Sequence, residues 1–121
     1  MRSVSSWLRL ACILCLAGAA LNHAADVWRG GWLPYGYAPL WLNTFWTSLT
    51  ILDPLAATLL WRRSSGGVWL LLGIMLTDVT VNLRFSLHLG STLEDSAALL
   101  AQILFLGFVL GAAPTLLRDR T

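Results

Sequence analysis

Charge is what this chain has least of. Lysine is absent, all eight basic residues are arginine, glutamate occurs once, and charged side chains make up 12 % of the 121 residues. A soluble domain of this length needs a polar surface, and so few charges cannot supply one. A nucleic-acid partner is excluded on similar grounds, because no basic stripe with interleaved aromatics exists. Long polar stretches are missing too, which leaves no room for a separate soluble domain. There is no internal repeat at a fixed period and no low-complexity tail.

What fills the chain instead is hydrophobic sequence, 57 % of it. Four apolar runs stand out, at about 7–25, 39–61, 68–87 and 97–117. Each is close to the roughly 20 residues that cross a bilayer as a helix. The expected fold is all-α: a polytopic membrane protein whose residues 1–121 form one four-transmembrane-helix bundle. The arginines set its expected orientation. Arg2 and Arg9 precede the first run, Arg62 and Arg63 follow the second, and Arg118 and Arg120 follow the fourth. An even number of spans puts these three clusters on one side, with only Arg29 and Arg84 toward the other. The positive-inside rule then predicts cytoplasmic termini and a multi-pass protein of the cell inner membrane. The first run also has the basic start, apolar core and small residues (Ala24, Ala25) of a signal peptide. It is longer than an h-region of about 7–15 residues, and Asn22, His23 and Asp26 give it a polar end suited to a bundle. It is expected to stay as helix 1.

Between the first two runs, Trp28–Pro39 carries Trp28, Trp32, Tyr35 and Tyr37 among Gly30, Gly31, Pro34 and Gly36. Amphipathic rings favour the headgroup zone, so an irregular interfacial segment is expected, with Pro39 at position N1 of helix 2. Within helix 2, Asp53-Pro54 predicts a kink or break, because proline cannot bond back to the Thr50 carbonyl and disfavours helix in the residue before it. Ser64–Gly67 is expected to form the next turn.

The aspartates Asp53 and Asp78 lie deep inside apolar runs. A carboxylate at a membrane helix centre costs about 2.5–3.5 kcal/mol on insertion scales, so it faces a bundle interior or a wet cavity rather than lipid. Asn43, Thr47, Thr50 and Asp53 share one helical stripe; Asp78 and Asn82 share a face one turn apart; Asn22, His23 and Asp26 cluster at the end of helix 1. The expected ligand-binding set is therefore Asp78, Asn82, Asn43, Thr47, Asp53, Asn22 and His23. Trp32, Tyr35 and Trp41 are expected to cover it. The plainer readings are that Asp53 caps a broken helix and that Asp78 pairs with Arg84 or bonds across helices as packing glue.

Other motifs carry less. Cys12-Ile-Leu-Cys15 has redox and metal-site spacing, but it lies in an apolar helix without a second ligand pair, which favours two small buried residues. His23 and His88, with Asp26, Glu94 and Asp95, outline a conceivable surface metal site, with exposed interfacial residues as the favoured reading; no metal and no cofactor are expected. Gly107 and Gly111 fit the small-xxx-small packing motif, within the bundle or against a second copy.

The stretch Trp32-Leu-Pro34-Tyr-Gly36-Tyr-Ala-Pro39-Leu-Trp41, running into Phe45, resembles the loop between helices 1 and 2 of the tryptophan-rich sensory protein (peripheral benzodiazepine receptor) family. That resemblance implies a porphyrin- or sterol-binding bundle, with Trp32, Pro34, Trp41 and Asn82 as parts of a ligand pocket and its lid. The family has five helices and this chain offers four. The functional expectation is binding or sensing of a small, partly apolar ligand in a polar cavity open to the outer side. Proton-coupled transport or a channel unit, an isomerase-like enzyme in lipid, and an accessory subunit of a membrane complex are the alternatives.

Overall fold

A computed structural model of the protein describes residues 3–90 and 96–119. Arg2, Arg120, Glu94 and Asp95 lie outside the described residues. The chain folds into four helices, α1 (Val4–Gly30), α2 (Leu40–Trp61), α3 (Ser65–His88) and α4 (Ala97–Arg118). Three of them are started by serine caps. Ser3 accepts from the Ser6 N–H, Ser64 from Gly66 and Ser96 from Leu99, each satisfying an N–H that has no partner inside the helix. α2 has no such cap; Pro39 precedes it with ψ at 151°. The proline is thus the cap residue rather than the first helical one.

Three helices, α1, α3 and α4, are long and apolar enough to cross a membrane. α2 is 22 residues long, but Asn43, Thr47, Thr50, Asp53 and Pro54 dilute its hydropathy. α1 runs five residues beyond its expected end and stops at Gly31, whose φ of 76° only glycine adopts freely. The turn between α2 and α3 is Arg62–Ser64, earlier than expected, because the Ser64 cap draws both following glycines into the first turn of α3. Gly67 is needed there: a Cβ would meet the Leu60 nitrogen at 2.7 Å.

Each helix packs on its chain neighbour, and α4 closes the ring against α1 along the sparsest of the four seams. The core runs down the axis from Cys12 and Leu60 through Leu71 and Val109 to Leu16 and Leu49. The polarity of the bundle is inverted relative to a soluble one. Leu14, Leu21, Ile51, Leu76 and Leu104 point outward, whereas Arg9, Asp53 and Asp78 are buried. Trp7, Trp61 and Trp69 are exposed at the end holding the termini; Trp28, Trp32, Tyr37 and Trp41 are exposed at the other. Gly107 and Gly111 face outward, with no atom within 4 Å of an added Cβ, so they do not pack α4 inside the bundle.

Candidate functional site

The polar stripe of α2 faces inward as its spacing dictates: Asn43 and Asp53 are buried, and Thr47 and Thr50 are partly so. The helix runs unbroken through Asp53-Pro54, so the expected break is absent and Asp53 caps nothing. Membrane helices tolerate such prolines where neighbouring groups or local adjustment take up the freed carbonyl, and Pro54 is on the exposed side. Asp53 is only 2 % exposed. No hydrogen bond reaches its carboxylate from the described residues, and one turn earlier the Thr50 hydroxyl is also buried without a partner.

Asp78 is treated differently. The Asn82 side-chain amide donates to Asp78 at 2.9 Å and to Gln102 of α4 at 2.9 Å, while Asn82 Oδ1 accepts from the Trp46 indole N–H at 2.6 Å. One asparagine thereby joins α2, α3 and α4 and uses both of its donors. Arg84 takes no part. It is exposed, on the wall of a separate groove with Tyr37, Trp41 and His88, so it does not pair with Asp78.

Asp53 and Asp78 line one cavity of about 360 Å³ together with Asn22, His23 and Gln102. Leu16, Ile74, Met75 and Phe105 make its apolar walls. Its rim lies where α1 meets α4. The small residues Cys15, Gly18, Ala19 and Ala101 line it there. Cys15, Gly18 and Ala101 are exposed, so the cavity reaches the flank of the bundle.

The interhelical loop is latched over the end of the bundle. The Tyr35 hydroxyl donates to Asp26 at 2.8 Å and meets His23 Nδ1 at 3.0 Å. With the phenol proton given to the carboxylate, Nδ1 must be the donor of the second bond. Burial, then the bond to Asp26, pushes the Tyr35 ionisation well above its ordinary value, so the latch stays protonated. Asn43 holds the same loop from the other side. Its Oδ1 accepts from the Tyr35 N–H at 3.1 Å and its Nδ2 donates to the Leu33 carbonyl at 3.0 Å. Leu33 has φ of 56°, a left-handed conformation that costs a residue other than glycine of order 1–3 kcal/mol, and the Asn43 bond helps hold it there.

Of the residues singled out from sequence, Asp53, Asp78, Asn22 and His23 therefore meet on one cavity, and Asn82 stands behind Asp78. Asn43 is a loop clamp, and the Thr47 hydroxyl bonds back to the Asn43 carbonyl at 2.7 Å. Trp32 and Trp41 are exposed at the bundle end, and neither lines the cavity. Gln102, Phe105 and Trp46 were not singled out. Trp46 had a signal, since positions 46, 50 and 53 repeat at helical spacing and an indole N–H in an apolar helix needs an acceptor. Cys12 is buried and Cys15 exposed, both free, and no three metal-ligating side chains gather among the described residues.

At the opposite end a second polar group ties the chain together. Arg9, 5 % exposed, donates to the Leu60 and Asp119 carbonyls, each at 3.1 Å. Asp119 accepts from Arg63 at 2.9 Å and from Ser5. The Ser5 hydroxyl first, and then the Arg63 and Arg9 charges, hold the Asp119 carboxyl below the usual carboxylate range.

The chain matches no protein-family model, no curated protein and no solved structure.

Proposed function

We propose that the protein is a four-span bundle of the cell inner membrane, with both termini cytoplasmic, that binds a small, partly apolar ligand in the cavity between its helices. Two observations support α2 as the fourth span. Trp41 and Trp61 stand 20 residues apart on it, roughly 30 Å at about 1.5 Å per residue, which matches the hydrocarbon thickness. Both are exposed, in the two aromatic belts. Arg9, Arg62, Arg63 and Arg118 gather at the end assigned to the cytoplasm, against Arg29 and Arg84 at the other.

The observation that carries the binding reading is Asp53: a buried carboxylate with no bond from the described residues, facing a cavity it shares with Asp78. A purely structural carboxylate inside a bundle is expected to be paired. The test is mass spectrometry of small molecules retained by the protein after purification in mild detergent. A bound species that Asp53→Asn loses supports the reading; a preparation empty under several extraction conditions opposes it. Proton-coupled transport is the second reading, favoured by two carboxyl groups on one cavity. It predicts solute movement in proteoliposomes that requires a proton gradient.

A further inference from the structure

We infer that the ligand is an amphiphilic amine, whose ammonium group sits at Asp53 and Asp78 and whose apolar body lies against Leu16, Ile74, Met75 and Phe105, and that it enters from the bilayer between α1 and α4. The inference rests on the cavity reading proposed above and adds the chemistry of the occupant.

The argument begins with what the cavity lacks. Its ionisable groups are Cys15 and His23 from α1, Asp53 from α2 and Asp78 from α3; α4 contributes none. No arginine among the described residues faces it. Asp78 receives one amide N–H, from Asn82, and that amide's other donor is already spent on Gln102. Asp53 receives nothing from the described residues, and no hydrogen bond joins the two carboxyl groups. The two carboxyl groups thus stand among neutral partners only, the amides of Asn22 and Gln102 and the His23 ring being the other polar groups of the lining. An ammonium presents up to three N–H donors and no acceptor, and it supplies the opposite charge that a buried carboxylate otherwise lacks. An alcohol brings one donor and no charge. A carboxylate ligand brings repulsion. A metal ion fits less well, because no third His, Cys, Asp or Glu completes a set with the two aspartates among the described residues.

The walls select the rest of the molecule. Apolar side chains, the Phe105 ring among them, line the cavity beside the acids. A volume of about 360 Å³ is at the small end of ligand pockets and suits an arylalkylamine. The rim of small residues Cys15, Gly18, Ala19 and Ala101 lies on the flank, at the sparsest helix seam. In a bilayer that flank faces hydrocarbon, so a ligand already partitioned into the membrane reaches the acids without crossing the latched loop.

The test uses the full chain in non-ionic detergent with three matched probes: 4-phenylbutylamine, 4-phenylbutanol and 4-phenylbutyrate. Affinities are read by thermal stabilisation and by ligand-observed NMR. The amine is expected to bind at least about tenfold tighter than the alcohol, the scale of one charge-assisted hydrogen bond, and the carboxylate weakest. Asp53→Asn is expected to bring the amine down to the level of the alcohol while alcohol binding persists. If that variant fails to elute as a folded species, Asp78→Asn is read in its place and should shrink the same ratio. Equal binding of amine and alcohol by the wild type overturns the amine assignment and leaves the cavity reading intact. No binding of any probe overturns both. A ratio unchanged in a folded Asp53→Asn overturns the placement of the charge. Ala101→Trp, which fills the rim, is expected to slow amine association at least about tenfold, the rate effect of about 1.4 kcal/mol of added barrier; an unchanged rate overturns the lateral route.

Discussion

Two regions of this bundle bury charge, and they do so in opposite ways. Near the termini, Arg9, Arg63, Asp119 and Ser5 form a knot in which cations and anion face each other, and the Arg9 guanidinium also reaches two main-chain carbonyls. It joins the start of α1, the α2–α3 turn and the end of α4. In the cavity, Asp53 and Asp78 share a space with no arginine among the described residues. The first arrangement accounts for itself as a fastening. The second has no such account, because two buried carboxyl groups without a cation cost stability whenever they ionise. Sites that keep such a cost are where function is to be sought.

The sharpest way to break this comparison is to remove one charge from each region. Arg9→Leu is expected to destabilise the protein most, by about 3 kcal/mol, since it removes at once a buried charge and the two main-chain bonds that tie α1 to the ends of α2 and α4. Reversible unfolding in mixed micelles measures it, and a loss under 1 kcal/mol would dissolve the contrast. Asn43→Ala comes next. It cuts two bonds to the loop that hold Leu33 in its left-handed conformation, at a cost of about 2 kcal/mol. Hydrogen exchange should rise in residues 31–39 and stay unchanged around Asp78. Asp53→Asn is expected to have the opposite sign, leaving stability within about 1 kcal/mol of wild type or raising it. A large loss would make Asp53 a structural residue after all.

Acid separates the regions more gently. Asp119 has its carboxyl held below the ordinary value by Ser5 and the two arginines. Its contribution is therefore present above the ordinary carboxylate pKa of about 3.9 and is lost as pH falls through the lower, folded value. A melting series from pH 6 down to pH 2 should show that loss, and Asp119→Asn should flatten it. The smallest effect belongs to Gly107→Ala on the open face of α4. Nothing obstructs the added methyl, so a gain of up to about 1 kcal/mol is expected from helix propensity alone. A clear loss, or a changed mass by light scattering, would mean that a second copy covers this face.

Much of the fold was legible in the sequence because hydrophobic runs of membrane length have few alternatives. All four helices fall within a few residues of their runs. The differences are where distant groups intervene. α1 outlasts its polar end because Tyr35, arriving from the loop, bonds His23 and Asp26. The local rule against helix before proline fails at Asp53 because the rest of α2 packs as a helix. In the candidate site, the stripes on α2 and α3 placed Asp53 and Asp78 on inward faces, with half-buried His23 and exposed Asn22 at the cavity's edge, but helical spacing cannot say which stripe meets which. Asn43 belongs to the loop for that reason. The Arg9–Asp119 contact joins residues 110 apart in the chain, and no local pattern announces it.

The unequal seams give the bundle a gradient of local stability. Helices that share little contact part more readily than the molecule unfolds as a whole. The α1–α4 edge is thus the place where breathing is cheapest, while the α1–α2 hairpin stays closed. On the proposed reading, an occupant of the cavity leaves by this edge, at a rate set both by the hold on its polar group and by how readily the two helices part. Residence time would then depend in part on the surrounding bilayer, lengthening as acyl chains pack tighter, and dissociation measured in nanodiscs of saturated and unsaturated lipid should differ.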